Sequence, residues 1–89
     1  PEVKPYFEEI IVEIEKTDNF TAAELEHLFR GYAERKGMKL RIIIHPVRLA
    51  ITGLTIGPGL FELMVVIGKQ KCVERLKRAY NEFFENPAK

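Results

Sequence analysis

One segment of the sequence has both its start and its end marked, and this segment favours a helical fold. Thr21-Ala22-Ala23-Glu24 has the form of a capping box, in which a threonine hydroxyl accepts a hydrogen bond from the third helical amide. Apolar residues then recur at helical spacing, and Gly37 follows two cations suited to the negative end of a helix. The pattern predicts a helix that buries one face, made of Leu25, Leu28, Phe29, Tyr32 and Ala33.

Other segments also have helical patterns. An amphipathic helix is predicted from Pro5 to about Lys16, with Phe7, Ile10, Ile11 and Ile14 on its inner face. A brief helix is predicted from Pro46 to Ile51, ended at Gly53. A helix beginning at Pro58 is apolar almost all round, which predicts the central and most buried element. The last helix begins near Lys71 and buries Val73, Leu76, Tyr80, Phe83 and Phe84.

Lys39 to Ile44 contains three consecutive isoleucines, which is typical of a short buried strand. The sequence offers no second strand for it to pair with, so we interpret it as a short helix or an irregular lead-in. Helices with short connections and no strand pair predict an all-α fold, a compact bundle of about five helices. We expect residues 1–89 to form a single domain, because 89 residues leave too little apolar surface for two.

Several function classes are excluded by simple counts. Cys72 is the one cysteine, so no intramolecular disulfide can form. The longest apolar run, Leu63 to Ile67, is far shorter than the roughly 20 residues that span a membrane, so no membrane partner is expected. His27 is interpreted as a solvated residue and His45 as a loop or capping residue, and neither has metal-ligand spacing to other residues. No catalytic residue and no metal site are therefore predicted.

Charge divides the chain into two unlike halves. Residues 1–34 hold nine acids and three bases, a net charge of −6, whereas residues 35–89 hold eleven bases and four acids, a net charge of +7. Such asymmetry indicates contact with a polyanion, with the acidic half left to solvent or to other protein. The main candidates for phosphate contact are Lys39, Arg41, Lys69, Lys71 and Arg75, within a larger basic set that adds Arg35, Lys36, Lys77 and Arg78.

Arg48 and the turn after it are the part of the sequence most suited to a nucleic-acid base. The planar guanidinium of Arg48 can bind a base edge or a phosphate with two hydrogen bonds. Gly57-Pro58-Gly59 stands before a helix start, where free amides can receive an anion or a base acceptor atom. Leu60 or Phe61 would offer an apolar platform for an unstacked base. Two plainer interpretations stay open: Arg48 pairs with an acid of the first two helices, and the turn only leads into a core helix.

The order and spacing of these blocks resemble a known family. The blocks are the capping-box helix ending in Gly37-Met38-Lys39, the PxRxAxTG pattern of Pro46–Gly53, the block Pro58–Leu63, and Ile67-Gly68-Lys69 followed by Arg75-Leu76. Together they cover roughly residues 17–80. The chain resembles the C-terminal anticodon-binding region of bacterial glutamyl-tRNA synthetases.

The resemblance implies an α-helical cage subdomain at the distal end of a class I synthetase. In that family the arginine matching Arg48 contacts the third anticodon base. Residues matching Gly57, Pro58 and Leu60 surround the middle base, largely through backbone groups and apolar contact, and Phe61 matches a position that supports this pocket. Family members commonly have serine or threonine at Gly57, so this chain lacks a hydroxyl there and keeps the backbone amide.

The resemblance also implies partners. The HIGH and KMSKS-like catalytic signatures of the family do not occur in these residues, so we expect a piece of a longer enzyme, consistent with a chain that begins at Pro1. ATP and Mg²⁺ would serve the parent catalytic domain, and no cofactor is expected in this piece. The expected partners are tRNA(Glu) and the rest of the synthetase, in a cytoplasmic monomer. The alternative function is a helical protein-interaction module with segregated acidic and basic faces.

Overall fold

The computed structural model describes residues 3–54, 57 and 59–82. These residues form five α-helices, and no strand occurs among them. The helices are α1 Val3–Lys16, α2 Ala22–Lys36, α3 Leu40–Thr52, α4 Leu60–Ile67 and α5 Lys69–Tyr80. The prediction of an all-α bundle is confirmed.

The first two helices form as their sequences predict. The inner residues predicted for α1 are buried, and Pro5 lies in its first turn. At the start of α2, the Thr21 hydroxyl accepts the hydrogen bond of the Glu24 amide at 3.2 Å. At its end, Gly37 has a φ of 64°, a left-handed conformation that glycine adopts without a steric penalty. Leu25, Phe29, Tyr32 and Ala33 are buried, and Leu28 packs half-buried against them.

One core joins all five helices. Helix α1 packs mainly on α5, α2 packs on α4, and α3 packs on both α5 and α2. The fully buried side chains include Phe7, Ile10, Ile14, Leu25, Phe29, Tyr32, Val47, Met64, Cys72 and Leu76. Because every helix contributes to this cluster, the position of each connecting loop depends on the packing of the whole bundle.

Helix α3 differs from its prediction, because residues 40–52 form one continuous helix with Pro46 inside it. A proline in a helix interior removes a hydrogen bond and costs about 3 kcal/mol or more. Ile43, Val47 and Ile51 lie on one face at 3%, 0% and 2% exposure, and each such side chain contributes about 1.5–3 kcal/mol when buried. Burial on both sides of the proline therefore outweighs its local cost. His45 is consequently an exposed helical residue and not a loop or capping residue.

Helix α4 is not the central element that its composition predicts. It has only eight residues, and only Leu60 and Met64 among them are buried. Val65 is 39% exposed and Val66 is 82% exposed. A helix of two turns that lies on the outside of a bundle reaches the core along one stripe, here the i and i+4 positions. Uniformly apolar composition thus overstated the burial of this helix.

Helix α5 begins two residues earlier than predicted. Its inner face includes Cys72, which was not among the residues predicted to be buried. Cys72, Leu76 and Ala79 are buried, while Val73 and Tyr80 pack half-buried against the core. The Cys72 thiol donates to the Met64 carbonyl at 3.4 Å, and burial raises its pKa to about 11. Phe83, Phe84 and the predicted stop at Asn86-Pro87 lie outside the described residues.

Candidate nucleic-acid interface

The end of α3 and the start of α4 bring together two of the residues predicted to contact bases. Arg48 lies in the last turns of α3 and is half-buried. A Cβ atom built on Gly57 would lie 3.8 Å from Nη1 of Arg48. We refer to Arg48, Thr52, Leu54, Gly57 and Gly59 as the α3–α4 corner. The predicted residue Pro58, with Thr55 and Ile56, lies outside the described residues.

Gly57 has a backbone conformation that suits glycine. Its φ is 156°, in a region that residues with a side chain rarely adopt. Any side chain at Gly57 would begin in van der Waals contact with the Arg48 guanidinium. Glycine therefore keeps the space beside the guanidinium open, which suits the close approach of a flat ligand.

The amino-terminal end of α4 carries a negative charge of its own. Gly59 is the N-cap and makes no side-chain capping bond. The Glu62 carboxylate folds back so far that a Cβ atom on Gly59 would collide with it. A carboxylate at this end of a helix already interacts favourably with the helix dipole. An incoming phosphate would meet this charge, so the end of α4 suits a neutral base better than an anion.

Leu60 and Phe61 hold α4 on the bundle and do not form an open platform. Leu60 is 3% exposed and belongs to the core. The Phe61 ring is half-buried, with its centroid 5.3 Å from that of Phe29 in α2 and the two planes tilted by 51°. The prediction that Leu60 offers a side-chain surface for an unstacked base therefore differs from the structure. A helix of only two turns needs apolar contacts to hold it on the bundle, so both side chains fix the start of α4 against the core.

Thr52 is a residue of the corner for which the sequence predicts no role in base recognition. Its hydroxyl lies 2.8 Å from the Arg48 carbonyl and 3.0 Å from the Leu54 amide nitrogen. Both bonds involve backbone groups that flank the end of α3. The available signal was the Thr-Gly pair that ends the PxRxAxTG pattern, since threonine before a helix-ending glycine often bonds to nearby backbone groups.

The five phosphate-contact candidates separate into two groups. Lys39, Arg41 and Lys71 are exposed. Lys69 instead donates to the Thr17 carbonyl at 2.7 Å, and Arg75 donates to the Ile51 carbonyl at 2.8 Å. These last two side chains connect α5 to the ends of α1 and α3, so they have structural partners that the sequence did not predict.

The acidic and basic halves of the chain do not form two separate faces. Three basic residues of α2 and α5 pair with carboxylates of α1: Arg35 with Glu13 at 4.0 Å, Lys36 with Glu9 at 3.2 Å, and Lys77 with Glu15 at 2.8 Å. These three carboxylates are 40–50% exposed, as expected of an acidic half left to solvent, but each also lies within ion-pair distance of a base that the sequence did not predict. Packing of α1 against α2 and α5 brings the opposite charges together.

An open groove of about 550 Å³ lies between α1 and α2. This α1–α2 groove is lined by Glu8, Glu9, Val12, Glu13, Tyr32, Arg35 and Lys36. The Tyr32 hydroxyl donates to Glu9, and this bond together with Lys36 lowers the pKa of the Glu9 carboxyl. Burial, followed by the bond to Glu9, raises the pKa of the Tyr32 phenol. Glu9 and Glu13 are thus engaged by other side chains of the groove.

Other kinds of site find no support in the described residues. The His, Cys, Asp and Glu side chains of residues 3–54 and 59–82 form no group of three that could hold a metal ion. None of the helices described above combines the length and apolar character needed to cross a membrane. His27 is exposed on α2, as predicted.

Comparison with known proteins gives consistent results. Residues 1–80 match the model of a family described as anticodon binding domain. A glutamate–tRNA ligase of Chloroherpeton thalassium is 48% identical over 65 residues, which are 73% of this chain and 13% of that protein. A glutamate–tRNA ligase of Syntrophomonas wolfei is 46% identical over 71 residues, or 80% of this chain and 14% of that protein.

A solved structure is similar as well. The crystal structure of a glutamate tRNA ligase from Elizabethkingia meningosepticum, in complex with its amino acid, matches with a TM-score of 0.85 at 30% identity. The match covers 91% of this chain and 16% of that one. The chain therefore spans about one seventh of the length of the relatives named above.

Proposed function

This chain belongs to the anticodon-binding domain family, and from that membership we propose that it recognises the second and third anticodon bases of tRNA(Glu). The named relatives are glutamate–tRNA ligases of which this chain matches a small part. The proposed role is accordingly one of binding and discrimination. The chemical step belongs to the remainder of a longer ligase.

The observation that carries the proposal is the position of Arg48 beside Gly57 at the start of α4. A guanidinium offers five N–H donors and no acceptor, so it selects a base edge that presents two acceptor atoms. Bases in a single-stranded loop can turn outward and expose such an edge. Arg48 therefore contacts the third anticodon base, and Gly57 leaves the space that this base needs.

The second anticodon base is received at the glycine turn. Gly57 and Gly59 have no side chains to obstruct a base, and their backbone groups are hydrogen-bonding partners. The Glu62 carboxylate at this turn disfavours a phosphate and leaves a neutral base as the suitable ligand. Pro58 and the Leu60 backbone belong to the same pocket, and Phe61 supports it through Phe29. Recognition here depends on backbone groups more than on side chains.

The phosphates of the loop are contacted by Lys39, Arg41 and Lys71. These three side chains are exposed, so they can adjust to the flexible sugar-phosphate backbone of the anticodon loop. Lys69 and Arg75 contribute less, because each already donates to a backbone carbonyl. Phosphate contacts of this kind raise affinity without selecting a sequence.

The whole protein is proposed to be a cytoplasmic, monomeric glutamate–tRNA ligase that joins glutamate to tRNA(Glu) with ATP. ATP and its Mg²⁺ would bind in the part of the enzyme that this chain does not cover. The protein-interaction module is the less favoured function, since the family match concerns anticodon binding and the charges of the α1–α2 groove pair internally.

An NMR titration tests the proposal. A stem-loop with the tRNA(Glu) anticodon is added to the ¹⁵N-labelled chain, and a stem-loop of equal length with a scrambled loop serves as the control. We expect amide shifts at Arg48, Thr52, Leu54, Gly57 and Gly59 with the anticodon loop and much smaller shifts with the scrambled one. Equal shifts with both RNAs, or shifts confined to the α1–α2 groove, would contradict the proposal.

A further inference from the structure

The end of α3 is tied to the following loop through one hydroxyl group. The Thr52 Oγ1 atom lies 2.8 Å from the Arg48 carbonyl oxygen and 3.0 Å from the Leu54 amide nitrogen. It also lies 3.2 Å from the Leu54 carbonyl oxygen. A hydroxyl has one proton to donate and two lone pairs to accept with. The shorter contact takes the proton, so the hydroxyl donates to Arg48 and accepts from Leu54.

Two further bonds fix the same helix end. The Gly53 amide donates to the Leu49 carbonyl at 2.8 Å, with Gly53 in a left-handed conformation at a φ of 76°. Nη1 of Arg75 donates to the Ile51 carbonyl at 2.8 Å. The last carbonyls of a helix have no partner within it, so these bonds define how the chain leaves α3. Of these partners, the Thr52 hydroxyl alone bonds to both Arg48 and the loop.

This link matters because the loop is short. Leu54 is three residues before Gly57, and Gly57 is the position that faces the Arg48 guanidinium. Three residues of chain reach at most about 11 Å, so the position of Leu54 limits where Gly57 can lie relative to Arg48. Bidentate recognition tolerates little such movement, because both hydrogen bonds require a planar alignment.

We propose that Thr52 is a positioning residue for base recognition, which holds Arg48 and the Gly57 loop in register through its two backbone bonds. This inference rests on the proposed function, since it concerns the fidelity of the same site. Thr52 itself touches no base in this proposal. A purely structural role, the bond to a carbonyl four residues earlier that is common for threonine in helices, predicts lower stability and unchanged selectivity.

The experiment compares base selectivity among matched variants. Selectivity is the ratio of the Kd for a stem-loop with a changed third anticodon base to the Kd for the tRNA(Glu) stem-loop, measured by fluorescence anisotropy. Thr52→Val and Thr52→Ala remove the hydroxyl, one with similar volume and one with less. Thr52→Ser keeps it. All variants are measured at a temperature where circular dichroism shows each of them folded.

Thr17→Val serves as the control for a threonine hydroxyl lost elsewhere. The Thr17 carbonyl accepts a hydrogen bond from the Lys69 side chain, at the end of α4 opposite Gly59, and Thr17 is not one of the corner residues. The Thr17 hydroxyl makes only a 3.4 Å contact with a neighbouring carbonyl. We expect this variant to retain the wild-type selectivity ratio.

The expected result is a ratio lowered about threefold or more in Thr52→Val and Thr52→Ala, as for loss of one hydrogen bond, and kept within about twofold in Thr52→Ser. The Leu54 and Gly57 amide resonances of Thr52→Val should shift, whereas those of Thr17→Val should not. Equal ratios in wild type and both hydroxyl-deleted variants would overturn the inference and leave the proposed function intact. A wild-type chain with no preference between the two RNAs would overturn both.

Discussion

The α3–α4 corner and the α1–α2 groove are two surface regions of the same bundle that differ in their charge and in their hydrogen bonds. The groove is rich in charge and has a volume of about 550 Å³, and Glu9 and Glu13 bond there to Tyr32, Lys36 and Arg35. The corner has fewer charges, and its hydrogen bonds hold the backbone next to Arg48. Charge density and groove size would thus point to the α1–α2 groove. The proposed site is instead the α3–α4 corner, on the basis of fixed backbone geometry beside a guanidinium.

The comparison also changes the meaning of the charge asymmetry along the chain. The two halves carry −6 and +7, yet α1 lies against α2 and α5, so part of the basic half neutralises part of the acidic half. The basic charges that stay available for RNA are therefore fewer than a count of the basic half suggests. Among the five phosphate-contact candidates, Lys39 at the start of α3, Arg41 on α3 and Lys71 on α5 are exposed, whereas Lys69 and Arg75 donate to backbone carbonyls.

The largest expected effect tests whether the helices beneath the corner are rigidly packed. Cys72 is fully buried beneath α4, and at about pH 8 a pKa raised to about 11 leaves roughly a thousandth of the thiol as thiolate. Reaction with Ellman's reagent should therefore be at least about a hundredfold slower in the folded chain than in denaturant. Rapid reaction in the native state would mean that α4 separates from α5 and that the corner is not preorganised.

Removal of the guanidinium at the corner should have the next largest effect. A bidentate base contact is worth about 1–3 kcal/mol of discrimination, so Arg48→Ala should weaken binding of the anticodon stem-loop by tens of fold. Arg35→Ala removes the same group from the groove, where Arg35 faces Glu13, and should change the Kd by less than about twofold. Anisotropy titrations of both variants measure this difference. Equal losses would remove the distinction between the two regions.

Smaller effects are expected from the exposed phosphate-contact candidates, which lie at the start of α3 and in the first turn of α5. Substitution of Lys39, Arg41 or Lys71 by glutamine should weaken RNA binding a few fold and lower the salt slope by about 0.7 for each lost single-strand contact. Base selectivity should not change, because phosphate contacts carry no sequence information. Lys36→Gln in the groove is the control, since Lys36 pairs with Glu9. A matching change of slope in this control would place RNA in the groove.

The smallest effect concerns the groove alone. Tyr32→Phe removes the main cause of the lowered pKa of Glu9, so that pKa should rise toward its ordinary value. A carboxyl with a lowered pKa adds stability above its ordinary pKa and loses it as pH falls through the lowered value. The wild type should therefore lose stability as pH falls between the ordinary and the lowered pKa of Glu9, and the variant should lose less stability over this range, while RNA binding stays the same. NMR titration of the Glu9 carboxyl carbon measures the shift, and an unmoved midpoint would refute this account of the groove.

Sequence patterns predicted where helices end better than they predicted which helix faces are buried by packing. Thr21, Glu24 and Gly37 are local signals, and the structure has α2 between them. Pro46 is also a local signal, but the helix start predicted there is wrong. Burial of Ile43, Val47 and Ile51 on both sides of the proline keeps α3 continuous. Apolar composition predicted a central α4, although Val66 is largely exposed. Local rules fail where the neighbours of a segment come from distant parts of the chain.

The candidate site shows the same division. The motif with Arg48 and the glycine turn was recognisable in the sequence, and the structure brings Arg48 and Gly57 together. The structure also assigned Lys69 and Arg75 to backbone carbonyls and gave Thr52 a part in the corner. The roles of Lys69 and Arg75 could not be derived from residue types, because a side chain's partner depends on which carbonyls the packed helices leave nearby. The Thr-Gly pair was a local signal for the bonds of Thr52.

The sequence by itself determined that this chain forms short helices, where several of them begin and end, and which arginine and turn to consider for base recognition. These features depend on residues within one turn of each other, where sequence distance and spatial distance agree. The tertiary structure alone decided which charges pair, which apolar residues stay exposed, and that Lys69 and Arg75 donate to the carbonyls of Thr17 and Ile51. Those outcomes follow from helix packing, which brings together residues far apart in the chain and sets the loop geometry between them.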